Sequence, residues 1–349
     1  MSAAICGNRG VFHTVSSFLP PIPERPGSVI LILELLLFAV GLTALTLGAD
    51  WLVTGAARVA SQRGVSPLMV GLTIVAFGTS APELVVSSAA SLRGESGLAV
   101  GNIMGSTVAN VGLIIGLGAL IRPISVHRRL IRREAPLLIG FLIAVLLLAV
   151  NGTIERFDGL LLLGAFALYL YWLFVWGQAS GHTEDRISAE IEIAQEKGDP
   201  KGRRPWLNWA RVVFGLLLLL LGADWLVDSA VDIARAFDVP EEVIGATLVA
   251  VGTSVPELAS TIAAAVRGLG DIAIGNVIGS NIFNLGLVLG VAAAISPLEL
   301  SSLAIQTEVV PALLFCLLLI PIAYTGARVS RAEGGLLLVG YALFILMVF

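Results

Sequence analysis

Gly48-Ala49-Asp50-Trp51-Leu52-Val53 recurs as Gly222-Ala223-Asp224-Trp225-Leu226-Val227, and from that match residues 48–124 run without a gap along residues 222–298 at a constant offset of 174, with 35 identities in 77 positions. Two further matches hold the register: Gly78-Thr79-Ser80 against Gly252-Thr253-Ser254, and Pro82-Glu83-Leu84 against Pro256-Glu257-Leu258. A period that long without a slip implies a duplicated structural unit, and every other feature of the chain is read from it.

The composition says what surrounds the duplicated units. Of 349 residues, 57% are apolar and 13% charged, with a mean hydropathy of +0.94, whereas a soluble domain carries about 25% charge. Apolar stretches near or above the roughly 20 residues of a spanning helix predict ten spans, at about 28–55, 66–92, 97–121, 131–150, 157–177, 208–235, 240–266, 271–295, 302–324 and 333–349. Five spans per unit is an odd number, so the second unit enters the membrane from the opposite face. The expected fold is an all-α polytopic membrane protein of ten transmembrane helices arranged as two inverted-topology five-helix repeats. The first repeat covers 28–177, with its duplicated motif region at 66–121; the second covers 208–349, with 240–295 as the counterpart.

Residues 1–27, with Leu19-Pro20-Pro21-Ile22-Pro23 and no helical apolar period, are expected to form an extracytoplasmic tail. Residues 178–207 are expected to form a cytoplasmic linker, a solvated tether of mixed charge without a D-x-D-x-D-G calcium loop. Setting the amino terminus outside puts 16 of the 21 Lys and Arg residues on the cytoplasmic side. The positive-inside rule therefore predicts both termini outside a plasma or inner membrane. The lipid bilayer is the expected environment, and no basic face for nucleic acid exists. Cys6 and Cys316 lack metal-ligand spacing, and His13, His127 and His182 fall in the tail or in loops, so neither a thiolate metal site nor a histidine relay is expected.

The chemistry lies in the second and third spans of each unit. Gly78-Thr79-Ser80-Ala81-Pro82-Glu83 interrupts an apolar helix. Pro82 has no N–H and crowds the carbonyl four residues back, that of Gly78, so the helix is expected to kink there and free backbone oxygens around Gly78 and Thr79. In lipid those oxygens need a partner, and a dehydrated cation is one. Glu83 follows Thr79 by four residues and Ser80 by three, so carboxylate, hydroxyls and carbonyls are expected to converge on one helix face. That is a site for a hard cation. Calcium takes six to eight oxygens with carboxylates among them, sodium accepts fewer, and nothing here suits a transition metal. The second unit repeats the set as Gly252, Thr253, Ser254, Pro256 and Glu257. Two intramembrane glutamates each cost at least about 2–3 kcal/mol unless paired or hydrated, which points to function.

The third spans carry Gly101-Asn102-Ile103-Met104-Gly105-Ser106 with Asn110, and Gly275-Asn276-Val277-Ile278-Gly279-Ser280 with Asn284. Their glycines read as close helix packing. Ser106, Asn110, Ser280 and Asn284 offer neutral oxygens to the cation or to the glutamates.

With its paired G-T-S-x-P-E-L and G-N-x-x-G-S-x-x-x-N runs, in the same order in each unit, the chain after residue 28 resembles the sodium/calcium exchangers of the cation/calcium antiporter superfamily, prokaryotic type with two α-repeats. The resemblance implies ion ligands at Thr79, Ser80, Glu83, Ser106, Asn110, Thr253, Ser254, Glu257, Ser280 and Asn284, with Glu83, Glu257, Thr79 and Thr253 holding the calcium. It implies electrogenic exchange of Na⁺ for Ca²⁺ by alternating access, as the first and sixth helices slide over the core. Potassium-dependent members tend to carry Asp where this chain has Asn284, and proton-coupled members tend to show G-N-x-x-E in the first motif, so potassium-independent sodium exchange is the expected activity, with no cofactor. A proton/calcium antiporter of the same fold is the alternative. Two other readings are disfavoured. A channel would place its symmetry axis along the membrane normal, and an aspartyl hydrolase would need Asp50 and Asp224 at one depth, whereas inversion sets them at opposite interfaces beside Trp51 and Trp225. Either Asp is expected to matter less to transport than Glu83, and no enzymatic activity is expected.

Overall fold

In the computed structural model the described residues are 27–63, 65–126, 130–179, 205–237, 239, 250–324 and 328–348. The expected amino-terminal tail, the linker and the start of the seventh predicted span therefore lie outside the described residues, entirely or in the main. The helices of the first half are α1 (Gly27–Arg63), α2 (Pro67–Thr79), α3 (Ala81–Leu92), α4 (Ser96–Ile121), α5 (Arg132–Asn151) and α6 (Arg156–Ala179). Those of the second are α7 (Pro205–Ala236), α8 (Val255–Arg267), α9 (Gly270–Ile295), α10 (Ser302–Pro321) and α11 (Arg331–Val348). Eight helices are long and apolar enough to cross a membrane, and α2 with α3, bent by 46° at their junction, make a ninth span among the described residues.

The centre and the rim differ in burial. Within the spanning windows of α4 and α9, 78% of residues are buried, against 22% for α1 and 28% for α7. Leu35, Leu36, Phe214 and Leu217 on the rim helices are exposed, as a lipid-facing surface requires. α1 and α7 lie antiparallel against each other, and glycines let their backbones meet. A Cβ on Gly41 would stand 2.7 Å from the Leu226 backbone nitrogen, and one on Gly55 2.9 Å from that of Val212. Gly48 faces the Leu219 backbone and Gly222 that of Leu45 in the same way. The seven-residue spacing of Gly41, Gly48 and Gly55, matched by Gly215 and Gly222, keeps this seam on one side of each helix.

Among the described residues four two-residue strands tie the loops. β1 (Ile124–Ser125) pairs antiparallel with β4 (Arg328–Val329), Ile124 opposite Val329, and β2 (Thr153–Ile154) pairs with β3 (Leu298–Glu299), Thr153 opposite Glu299. β1 follows the third span of its half and β3 follows the third span of the other, so the duplication makes them equivalents. Each pairs with the fourth-to-fifth-span loop of the opposite half. Two five-span units in opposite orientation place those loops on shared faces; two units in the same orientation would not.

Small residues also seat α9 on α2. A Cβ on Gly275 would come within 2.8 Å of the Leu68 carbonyl, and one on Gly279 within 2.7 Å of Ala76 Cβ. These are the glycines read from the sequence as packing positions. α4 and α9 each widen into π-helical turns over Asn110–Ile115 and Asn284–Val288. The widened turns begin at the two asparagines singled out as candidate ligands, and such bulges concentrate where a helix is shaped for function.

Candidate cation-binding site

The chain turns at a serine in each half. Ser80, at φ −82° and ψ 7°, separates α2 from α3, and Ser254, at φ −90° and ψ 4°, precedes α8. These backbone values lie in the sparsely populated bridge region where functional residues collect. The bend thus falls between Gly78 and Pro82, the two positions expected to make it. Pro82 and Pro256 sit in the first turn of the new helix, where a missing N–H costs nothing. Gly78 also makes room for the neighbouring helix: a Cβ there would strike the Leu216 side chain of α7 at 2.8 Å, and one on Gly252 would meet Val227 at 3.1 Å.

Restarting the helix after the serine puts Glu83 and Glu257 in the first turns of α3 and α8. The unpaired N–H groups and macrodipole of a helix start favour a carboxylate there. Both glutamates are fully buried, and among the described residues neither has an ion-pair partner. What reaches them is hydroxyl groups, and these cross between halves. The Ser80 hydroxyl donates to Glu257 Oε1 at 3.2 Å, and Ser254 Oγ lies 3.5 Å from Glu83 Oε1 and 3.0 Å from Ser106 Oγ. Ser106 donates to Glu83 Oε1 at 3.2 Å and accepts from Asn284 Nδ2 at 3.2 Å.

This corrects the expectation that each Ser-Glu pair closes on its own helix face. The bend at Ser80 turns its side chain away from the face of Glu83 and toward the other half. The result is a single cluster shared by two repeats.

The remaining expected residues gather at the same level. Thr79, Ser80, Ser106, Asn110, Thr253, Ser254, Ser280 and Asn284 are all buried. Asn110 Nδ2 donates to Asn281 Oδ1 at 2.8 Å, and Asn281 donates in turn to the Thr107 carbonyl at 3.3 Å and to Cys316 Sγ at 3.8 Å. Five side-chain oxygens of these residues and the two glutamates have no hydrogen-bond partner: Glu83 Oε2, Glu257 Oε2, Asn110 Oδ1, Asn284 Oδ1 and Ser280 Oγ. Buried oxygens without donors are rare because each costs desolvation energy. Two carboxylate and two amide oxygens left over among these buried residues are the oxygen type that a hard cation takes as ligands.

Besides Asn281, two residues that face the threonines were not singled out from the sequence as ligands. Asn102 Oδ1 accepts from Thr253 Oγ1 at 3.2 Å and Asn276 Oδ1 from Thr79 Oγ1 at 3.3 Å. Both are the second residue of the duplicated G-N-x-x-G-S runs, so the signal was visible as a polar residue present in both copies.

Asp50 has a clear place outside the site. Its carboxylate accepts from Arg267 Nε at 2.6 Å and also contacts Arg267 Nη2. Arg267 closes α8, whose first turn carries Glu257, so the pair ties the end of a site helix to α1. The expected anchoring of Asp50 beside Trp51 thus has a named partner, the Arg267 guanidinium. Exposed pairs of this kind contribute about 0–1 kcal/mol.

Comparison with known proteins places the whole fold beside known transporters. A family model described as sodium/calcium exchanger protein matches residues 33–175 and again 207–349. Sodium/calcium exchanger MaX1 of Methanosarcina acetivorans is 32% identical over 342 residues, 90% of this chain and 98% of that one. Inner membrane protein YrbG of Escherichia coli is 36% identical, covering 91% of this chain and 98% of its own. The sodium-calcium exchanger NCX_Mj, in a structure soaked with 10 mM Na⁺ and zero Ca²⁺, superposes with a TM-score of 0.76 at 35% identity over 91% of this chain and 100% of that one.

Proposed function

Because the chain belongs to the sodium/calcium exchanger protein family, a family of membrane transporters, we propose that it is a secondary active antiporter that exchanges Na⁺ for Ca²⁺ at the Glu83–Glu257 cluster. One observation carries the reading: two buried glutamates, one from each half, each keep a carboxylate oxygen without a donor while hydroxyls of both halves bridge them. Two carboxylates supply a formal charge of about −2, which one Ca²⁺ balances and which sodium replaces only several ions at a time. Competition for the same oxygens couples the two fluxes, and more than two Na⁺ per Ca²⁺ moves net charge.

The proposed ligands are those read from the sequence: Glu83, Glu257, Thr79 and Thr253 for calcium, within an ion-binding set that also takes in Ser80, Ser254, Ser106, Ser280, Asn110 and Asn284. Asn284 supports potassium independence, since it adds an amide where the potassium-dependent members of the family tend to carry a third carboxylate. The family match over two stretches supports the division into two five-helix repeats with a cytoplasmic linker between them. The distribution of Lys and Arg supports placing both termini outside a plasma or inner membrane.

Proteoliposomes loaded with sodium and diluted into sodium-free buffer test the choice of ion. Calcium uptake is expected to follow the outward sodium gradient and to be indifferent to potassium. It is also expected to rise when an inside-positive potential is imposed, because more than two Na⁺ leaving per entering Ca²⁺ carries net positive charge outward. Uptake that follows a proton gradient with sodium absent would instead make the protein a proton/calcium antiporter.

A further inference from the structure

The two asparagines at the second position of the duplicated runs form the same relay twice. Asn276 of α9 faces Thr79 with its oxygen and, with its nitrogen, donates to Ser260 Oγ at 3.0 Å, Thr261 Oγ1 at 3.0 Å and the Glu257 carbonyl at 3.4 Å. Asn102 of α4 faces Thr253 with its oxygen and donates to Ser87 Oγ at 2.9 Å and the Glu83 carbonyl at 3.5 Å. Ser87 and Thr261 are equivalents in the 174-residue register, as are Glu83 and Glu257. Each relay therefore begins on the helix break of one half and ends on the backbone of the other half's glutamate.

The polarity of the relay is set by an atom that has no choice. A backbone carbonyl only accepts, and Ser260 already donates its own proton to the Glu257 carbonyl at 3.0 Å. The amide nitrogen must face that carbonyl, so the amide oxygen faces Thr79 and the threonine must be the donor. We propose that Asn102 and Asn276 are positioning residues that commit the Thr253 and Thr79 hydroxyl protons away from the cation, so that both threonines show the ion only lone pairs. Released from the amide oxygen, the Thr79 hydroxyl keeps the Ala76 carbonyl at 3.4 Å as its other acceptor, and in any other rotation its proton turns into the cluster and competes with the ion for the carboxylates. In a cluster where the donor-free oxygens make the binding site, withholding two protons is as much a part of the site as supplying the oxygens.

This inference rests on the antiporter reading above, and equilibrium binding of radioactive calcium to the purified full-length protein separates the two. Asn276→Leu is expected to weaken calcium binding about tenfold, the effect of one misdirected hydrogen bond in a charged site. Thr79→Val removes the proton together with the oxygen, so adding Asn276→Leu to it should weaken binding no more than about twofold further, by the logic of a double-mutant cycle. The Asn102→Leu and Thr253→Val cycle asks the same of the other half, should the Asn276 variant fail to fold. Multiplying losses in a cycle, or leucine variants that bind calcium like the parent, would overturn the positioning role. Parent calcium binding that sodium does not displace would overturn the antiporter reading instead, and leaves the cycles readable on calcium alone.

Discussion

Glu83→Gln and Glu257→Gln are each expected to lower sodium-dependent calcium uptake by at least about a hundredfold while leaving the protein folded. Glutamine keeps the size and one oxygen of the side chain, so the packing of α3 and α8 is unchanged. What it removes is one of only two formal charges facing the ion. Taking one partner from a buried charge interaction costs about 3–5 kcal/mol, and each 1.4 kcal/mol is about tenfold. The two substitutions should be equally severe, because each glutamate has a donor-free oxygen and takes hydroxyl contacts from the opposite half. Asp50→Asn is the control: it breaks a partly exposed pair with Arg267 and should keep most of the uptake. Either glutamine variant transporting at more than a tenth of the parent rate would show that the ion does not need both carboxylates.

Gly48→Ala and Gly222→Ala are expected to lower the thermal midpoint in detergent by several degrees each, although each adds one methyl group. The new Cβ would press on the backbone of the facing helix, at Leu219 or Leu45, and backbone cannot rotate out of the way as a side chain can. Overpacking of this kind costs about 1–3 kcal/mol. Gly164→Ala on exposed α6, where a Cβ meets nothing within 4 Å, should be neutral. Unchanged midpoints for the Gly48 and Gly222 variants would mean that α1 and α7 have slack between them.

Much of this was legible in the residues because duplication shows each functional position twice. The apolar runs, the odd number of spans and the recurrence of G-T-S-x-P-E lead to two inverted units with glutamates at matching places, and the strand pairs β1·β4 and β2·β3 fall where that topology needs them. What one helix does to its neighbour was less legible. A seven-residue glycine spacing is plain at Gly41, Gly48 and Gly55 once seen, but only the facing backbone of α7 gives it meaning. That the helix bends near Pro82 was legible; that the turn residue is Ser80, with Gly78 just before it admitting Leu216, was not. Because the bend falls there, Ser80 serves Glu257 and Ser254 serves Glu83, a crossing that local spacing points away from. Asn102 and Asn276 were visible as polar residues in apolar spans, yet the threonines they face are more than a hundred residues away in sequence.

The position of calcium is the most direct test of a shared site. Crystals of the full-length protein soaked in calcium without sodium are expected to show one ion within about 2.6 Å of carboxylate oxygens from both Glu83 and Glu257, displaced when sodium is added. Calcium bound to one glutamate alone, or at a place that sodium leaves untouched, would contradict the account.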